Sequence, residues 1–242
     1  MDIRAFDLPR YLAVLPLFCD LSRPELERVA TGCQLRRLGR GDNVFRVGEP
    51  CDAFHVTVTG QVKLFAISPA GQEKVIELIG PGNSFAEALM FLDKPYFINA
   101  QALADTLLLS VSKQAVLAEI AIDPRFALRM LAGMSRRLHG LVHDVQAYAL
   151  HSGVQRIIGY LLRGQPVEDT DPAEASLGAA SPPAAVTVTL PVSKATVASR
   201  LSITPEYFSR VLHELEDARL IEVDKRDIRI LDAPRLARYP AG

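Results

Sequence analysis

Between residues 35 and 112 glycines cut the chain into short β-prone runs, and this pattern limits the fold more than any other feature. The runs are 43–45, 53–58, 61–65, 74–79 and 107–111, punctuated by Gly41, Gly48, Gly60, Gly71, Gly80 and Gly82. Short strands with regular turn signals point to an antiparallel sandwich or roll. Ala70-Gly71-Gln72 reads as a hairpin tip. The 242 residues leave room for a second domain, and a hydrophobic content of 49% supports packed cores rather than disorder.

The flanks of this region read as helical. Residues 8–31 are expected to be helix, with Ser22 or Arg23 leading into Pro24 and Glu25 at a helix start. Asp123 before Pro124 is a second start, an N-cap followed by proline at the first helical position. Leu131, Met134, Leu138, Leu141, Val145 and Tyr148 then recur at alternating spacings of three and four, flanked by Arg129, Arg136, Arg137 and Asp144. This is the seam of a coiled coil and predicts a homodimer. The alternative is a core-facing helix of a bundle, which would carry a wider apolar stripe. A further helix is expected over 154–162, and residues 165–185, rich in Pro, Ala, Ser and acids, read as a surface loop.

Residues 191–215 read as two helices around a tight turn. Ser193 can cap the first helix, which turns Ala195, Val197, Ala198 and Leu201 toward a core. Ser202-Ile203 is the turn, and Thr204-Pro205-Glu206 opens the second helix with a cap, a proline and an acid. Phe208, Val211, Leu212 and Leu215 share its inner face; Glu206, Ser209, Arg210 and His213 share its outer face. Arginine can donate two bonds to guanine, glutamate can accept from cytosine, and serine can meet a base or a phosphate. The alternative is a solvated face with a Glu206–Arg210 pair. Residues 222–231 read as a β-hairpin wing whose Lys225, Arg226 and Arg229 can meet phosphates.

Composition narrows the function classes. The net charge is −1, so DNA binding must rest on a local surface. Cys19, Cys33 and Cys51 are odd in number and widely spaced, which argues for a reducing compartment and against a disulfide framework. The apolar stretch 12–18 is short, interrupted by Pro16 and preceded by acids, which makes a poor signal peptide, and no run approaches membrane-spanning length. A cytoplasmic protein with no membrane partner is expected. A cupin-type enzyme would need several histidines and a carboxylate around a metal, but the roll holds only His55. Neither a nucleophile–histidine–acid set nor a phosphate-binding glycine loop is visible. No metal site is expected. A ligand-sensing module without DNA binding is the other rival, and the two-faced helix argues against it.

From about Leu15 to Leu231 the chain resembles the cAMP-receptor/fumarate-nitrate-reductase (Crp/Fnr) family of transcription regulators. Pro16-Leu17-Phe18 with Leu21-Ser22, Gly41-Asp42, Phe45, Gly48-Glu49-Pro50 and Gly60-Gln61-Val62-Lys63 look like its N-terminal roll. Pro205-Glu206-Tyr207-Phe208-Ser209-Arg210 matches the Glu-x-x-Ser-Arg motif of the fumarate-nitrate-reductase branch. The resemblance implies an α+β fold with three parts: a cyclic-nucleotide-binding-like β-roll (jelly roll) over 1–122, a dimerisation helix over 123–150 and a winged helix-turn-helix over 151–242. It further implies that Glu206, Ser209 and Arg210, with Thr204 and Tyr207 beside them and Lys225 and Arg226 on the wing, face double-stranded DNA carrying a TTGAT palindrome. RNA polymerase is the implied protein partner. Ser202 departs from the glycine many members place in the turn.

Two branches of the family fit poorly. Cyclic-nucleotide binders use a glutamate and then an arginine for the phosphate. Here Ser84-Phe85-Ala86-Glu87-Ala88 fits the glutamate segment, but the arginine position falls on Tyr96 or Phe97, with Lys94 the nearest cation in sequence. Burying a phosphate without a cation is costly, so cAMP is not expected. An iron–sulfur cluster needs more grouped thiolates than the three present, so none is expected. Residues 84–95, Arg137-Leu138-His139 and Leu201-Ser202-Ile203 look like the Dnr-type nitrogen-oxide-responsive regulators, which implies nitric oxide and haem. Phe85, Glu87, Leu89, Phe91, Tyr96 and Phe97 are then the expected sensor pocket, with plain core as the alternative for the aromatics. His55, His139, His143 and His151 are candidate haem ligands, and spacing selects none of them.

Overall fold

The computed structural model describes residues 6–15, 17–19, 21–162 and 186–240; within the long helix the side chains of residues 136–137, 140–141, 143–144 and 147–150 fall outside the description. The predicted loop over 165–185 lies outside the described residues, as do the Leu141 and Tyr148 seam positions.

Residues 8–31 do not form one helix. They form α1 (Leu8–Leu12) and α2 (Arg23–Thr31). The segment between them sends Leu15, Leu17, Phe18 and Leu21 into the core. Helix α2 restarts at Ser22, whose backbone N–H and hydroxyl both donate to the Glu25 carboxylate at 2.6 Å.

The roll follows as β1 (Cys33–Leu38), β2 (Asn43–Phe45), β3 (Ala53–Thr59), β4 (Val62–Ile67), β5 (Glu73–Ile79), β6 (Ser84–Phe85), α3 (Glu87–Leu92), β7 (Asn99–Ala102) and β8 (Thr106–Ser112). The strands make two antiparallel sheets, ordered β1-β8-β3-β6 and β2-β7-β4-β5. Every predicted run is a strand. The strands with weak β signals, β1 with its two arginines and β7 with its amides, are held by their neighbours in the ladder. Strand β3 is buried on both faces. Phe54 and Val56 point one way, and Phe54 stacks on Phe18 at 6.2 Å. His55 and Thr57 point the other way, into the roll interior. Gly71 sits at the β4–β5 tip with φ +78°. Gly60 has φ +87°, and a Cβ there would come within 2.6 Å of the Asp105 carbonyl oxygen.

After β8 come α4 (Lys113–Ile122) and α5 (Arg125–Leu150). Ser112 caps α4 by accepting from the Ala115 N–H at 3.2 Å. Asp123 does the same for α5, accepting from the Arg125 N–H at 3.0 Å. The chain divides into two compact units, residues 1–143 and 144–242, and the division falls inside α5.

The second unit contains α6 (Gly153–Leu162), β9 (Val186–Thr189), α7 (Lys194–Arg200), α8 (Pro205–Asp217), β10 (Ile221–Asp224), β11 (Asp227–Ile230) and α9 (Ala233–Ala237). The expected wing hairpin is three-stranded, ordered β10-β11-β9. Val154, Ile157, Ile158 and Leu161 of α6 are buried, as are Val197, Ala198 and Leu201 around α7 and Phe208, Val211, Leu212 and Leu215 of α8. Ala195, expected in this core, is exposed instead. It lies one position before Thr196, whose N–H Ser193 caps, and so faces outward in the first turn.

Gly60→Ala should destabilise the roll by about 2–4 kcal/mol, from the left-handed backbone and the carbonyl clash together. Urea unfolding of the full chain measures this; a loss under about 0.5 kcal/mol would mean the turn relaxes freely.

Candidate functional site

Helices α7 and α8 meet at a turn whose geometry is set residue by residue. Ser202 takes φ +58°, and the Ile203 N–H donates back to the Ala198 carbonyl at 3.1 Å. Thr204 then caps α8, its hydroxyl accepting from the Tyr207 N–H at 3.2 Å, and Pro205 fixes the first turn. With Phe208, Val211, Leu212 and Leu215 buried, the opposite face must point outward. Glu206, Arg210 and His213 are exposed there, and Ser209 is half-buried. Arg210 does not pair with Glu206. Its guanidinium lies 4.8 Å from the Tyr207 ring centroid and 3.5 Å from Glu214. The structure thus brings Glu206, Ser209 and Arg210 to one face, while Thr204 acts as a cap and Tyr207 as a platform under Arg210. Lys225, with φ +54°, and Arg226 are exposed at the tip between β10 and β11. Arg229 faces Glu222 at 3.3 Å.

The roll interior is filled by rings. Phe45 stacks on Tyr96 with centroids 3.5 Å apart and planes 2° from parallel; His55 lies 5.7 Å from Phe45 and 5.3 Å from Phe85. Both nitrogens of His55 are engaged: Nδ1 is 2.9 Å from Ser110 Oγ and Nε2 is 3.2 Å from Tyr96 Oη. The Tyr96 hydroxyl also lies 3.3 Å from the Ala53 carbonyl; when it donates there, it accepts from His55 Nε2–H, and Ser110 donates to Nδ1. Burial pushes the His55 pKa down to about 3, and the Arg36 charge acts in the same direction. Burial raises the Tyr96 phenol and the Cys51 thiol.

Of the expected pocket residues, Phe85 and Tyr96 join this cluster and Glu87 is buried at the start of α3. Leu89 and Phe91 pack half-buried against the same core. Phe97 does not join them; it is 68% exposed on the surface just before β7. Phe45 was not expected in the pocket and His55 only as a candidate haem ligand, since both sit on strands far from residues 84–97 in sequence. Only the ladder register brings them there. A cleft of about 240 Å³ opens between Cys51 and Lys94, smaller than the roughly 300–1,000 Å³ of common small-molecule sites.

Helix α5 has two apolar faces. Phe126 and Met130 are buried in the roll's core. Leu131, Leu138 and Val145 are 53%, 62% and 65% exposed, with Leu128 and Val142 exposed beside them and Met134 half-buried.

The sequence profile of the Cyclic nucleotide-binding domain matches residues 35–123, and that of the Crp-like helix-turn-helix domain matches residues 155–239. The crystal structure of DNR from Pseudomonas aeruginosa is 36% identical, covering 94% of this chain and 95% of that one, with a TM-score of 0.50. This chain belongs to the Crp/Fnr family. It is a DNA-binding transcription regulator. The CRP-like cAMP-activated global transcriptional regulator of Mycobacterium tuberculosis is 24% identical over 82% of this chain and 84% of its own. FixK2 from Bradyrhizobium japonicum, 20% identical, shares the fold over 87% of this chain and 98% of that one, with a TM-score of 0.70. Among the described residues of the regulator, no helix is long and apolar enough to cross a membrane.

Haem requires an axial ligand. His55 does not fit that role as placed, because both of its nitrogens are in hydrogen bonds inside a ring-filled interior. His139 and His151 are exposed, and the His143 side chain lies outside the described residues.

His55 should leave a pH signature on stability. Its folded pKa lies below the unfolded value, so between about pH 6.5 and 3 the unfolded chain binds a proton that the folded chain refuses. Stability therefore falls by up to ~1.4 kcal/mol per pH unit as pH drops through this window. Urea midpoints from pH 6.5 to 4.5 should show the slope. His55→Gln should lower overall stability yet remove most of the slope; an unchanged slope would mean His55 is not the group responsible.

Proposed function

We propose that this regulator binds a TTGAT palindrome as a homodimer. Arg210 reads guanine, Glu206 accepts from cytosine N4, and Ser209 meets a neighbouring base or phosphate. The observation that carries this reading is the shared outer face of Glu206, Ser209 and Arg210 on a helix whose other face is wholly buried. Lys225 and Arg226 at the wing tip add phosphate contacts and no sequence preference. The exposed apolar stripe of α5 supports the dimer, since a second copy would cover Leu131, Leu138 and Val145. Two reading helices then reach successive major grooves roughly 34 Å apart. A ligand that favours one packing of the roll on Phe126 and Met130 would tilt the seam, and with it the helix spacing. RNA polymerase is the partner through which a bound dimer changes transcription, in the cytoplasm.

The resemblance of residues 84–95 to Dnr-type regulators supports a nitric-oxide response through haem. Because His55 is committed, that response would need an iron ligand outside the roll interior. cAMP is not the effector in this reading, since the position of the phosphate-binding arginine falls on Tyr96 or Phe97 and leaves the phosphate without a cation.

Fluorescence anisotropy on a TTGAT-N4-ATCAA duplex against a scrambled duplex tests the DNA assignment, run with haem and nitric oxide, with cAMP and with neither. Arg210→Ala should cost roughly ten- to hundred-fold in operator affinity. Operator binding that survives this change would remove α8 as the reading element. Tight binding in cAMP alone would overturn the effector reading, and a haem titration without a Soret shift would remove haem. The paired change Leu138→Arg with Val145→Glu should give a folded monomer in sedimentation that no longer holds the palindrome. A dimer that persists would move the interface elsewhere.

A further inference from the structure

Arg156, on the first turns of α6, reaches across to the turn between α7 and α8. Its Nη1 donates to the Leu201 carbonyl at 2.6 Å and to the Ser202 carbonyl at 3.4 Å. These carbonyls end α7, where the helix dipole concentrates negative charge, so the bonds are charge-assisted. Ser202 takes a left-handed conformation that a residue with a Cβ adopts reluctantly, and the guanidinium pins the carbonyl it presents. Arg156 Nε is closed off from solvent with no acceptor among the described residues, so the burial of this cation is offset at Nη1.

The same end of α6 touches α8 at a second point. A Cβ on Gly153 would come within 2.6 Å of the Tyr207 ring, so the ring lies directly on the α6 backbone. Tyr207 also carries Arg210, whose guanidinium lies 4.8 Å from its ring centroid. Helix α6 is itself anchored by a reciprocal cap: the Gln155 N–H donates to Ser152 Oγ at 3.3 Å, and the Ser152 N–H to Gln155 Oε1 at 3.0 Å. Val154, Ile157, Ile158 and Leu161 root it in the core of this unit. One rigid turn of α6 thus fixes both the turn before the reading helix and the tyrosine beneath its arginine.

We propose that Arg156, with Gly153, is a positioning residue for DNA recognition: it sets the angle at which α8 presents Glu206, Ser209 and Arg210, without itself touching DNA. This rests on the reading that α8 meets bases. It separates two properties that a phosphate-contacting arginine would link. Losing a brace should reduce the preference for the correct sequence and leave non-specific, salt-driven affinity alone, whereas losing a phosphate contact should weaken binding to every sequence and lower the salt slope by about one.

The test uses the full-length protein and a duplex that the wild-type protein itself selects from a randomised pool, with a scrambled duplex as reference. Anisotropy across a salt series gives specific affinity, non-specific affinity and slope for wild type, Arg156→Ala, Arg156→Lys, Gly153→Ala and Arg210→Ala. Circular dichroism melting confirms that each variant is folded. Arg156→Ala should lose roughly ten- to hundred-fold in the specific-to-non-specific ratio with an unchanged slope, and Arg156→Lys should recover part of it. Gly153→Ala should also lower the ratio, by pushing Tyr207 off its seat. If Arg156→Ala fails to fold, the Gly153→Ala ratio alone decides. An unchanged ratio in a folded Arg156→Ala overturns the proposal, as does a slope lowered by about one. If the wild type shows no sequence preference, or Arg210→Ala keeps it, the reading of α8 fails first.

Discussion

Phe18 lies between Phe54 of the roll and Phe126 of the long helix, with ring centroids 6.2 and 5.9 Å away. All three rings are fully buried, and each contributes on the order of 1.5–3 kcal/mol by leaving water. This stack fixes which way α5 faces. A helix turns about 100° per residue, so seating Phe126 and Met130 in the core turns Leu128 to the far side. Leu131, Leu138, Val142 and Val145 are exposed as well.

The roll interior obeys a different constraint. Strand β3 is buried on both faces, and its two inward polar residues differ: the Thr57 hydroxyl has no partner among the described residues, whereas His55 joins Ser110 and Tyr96 in a chain of hydrogen bonds that reaches the Ala53 carbonyl. A buried polar network of this kind is favourable only when complete. The Phe45–Tyr96 stack and the His55 hydrogen bonds are therefore parts of one arrangement.

In the DNA-binding unit the physical problem is orientation. In the proposed reading α8 meets base edges and must be held from behind; it is held by four buried side chains, by the Thr204 cap and by the α6 surface under Tyr207. The acidic residues around it, Glu214 beside Arg210 and Glu222 beside Arg229, partly neutralise the basic ones. In the proposed reading this surface relies on discrimination more than on bulk attraction for phosphate.

Local chemistry in the sequence determined the caps, the turns and the faces. Ser193, Thr204 and Pro205 mark their helices because capping involves only neighbouring backbone groups. Gly60 and Gly71 mark their turns because only glycine takes such angles freely. Alternating spacings of three and four expose the α5 stripe, since helical periodicity is a property of the chain itself. Strands β1 and β7, the pairing of β9 with the wing hairpin and the outward turn of Ala195 and Phe97 came from the tertiary structure alone. So did the meeting of Phe45 and His55 with Tyr96, and of Arg156 with Leu201 and Ser202. Each of these pairs groups far apart in the chain, and ladder register or helix packing brings them together without leaving a local pattern to read.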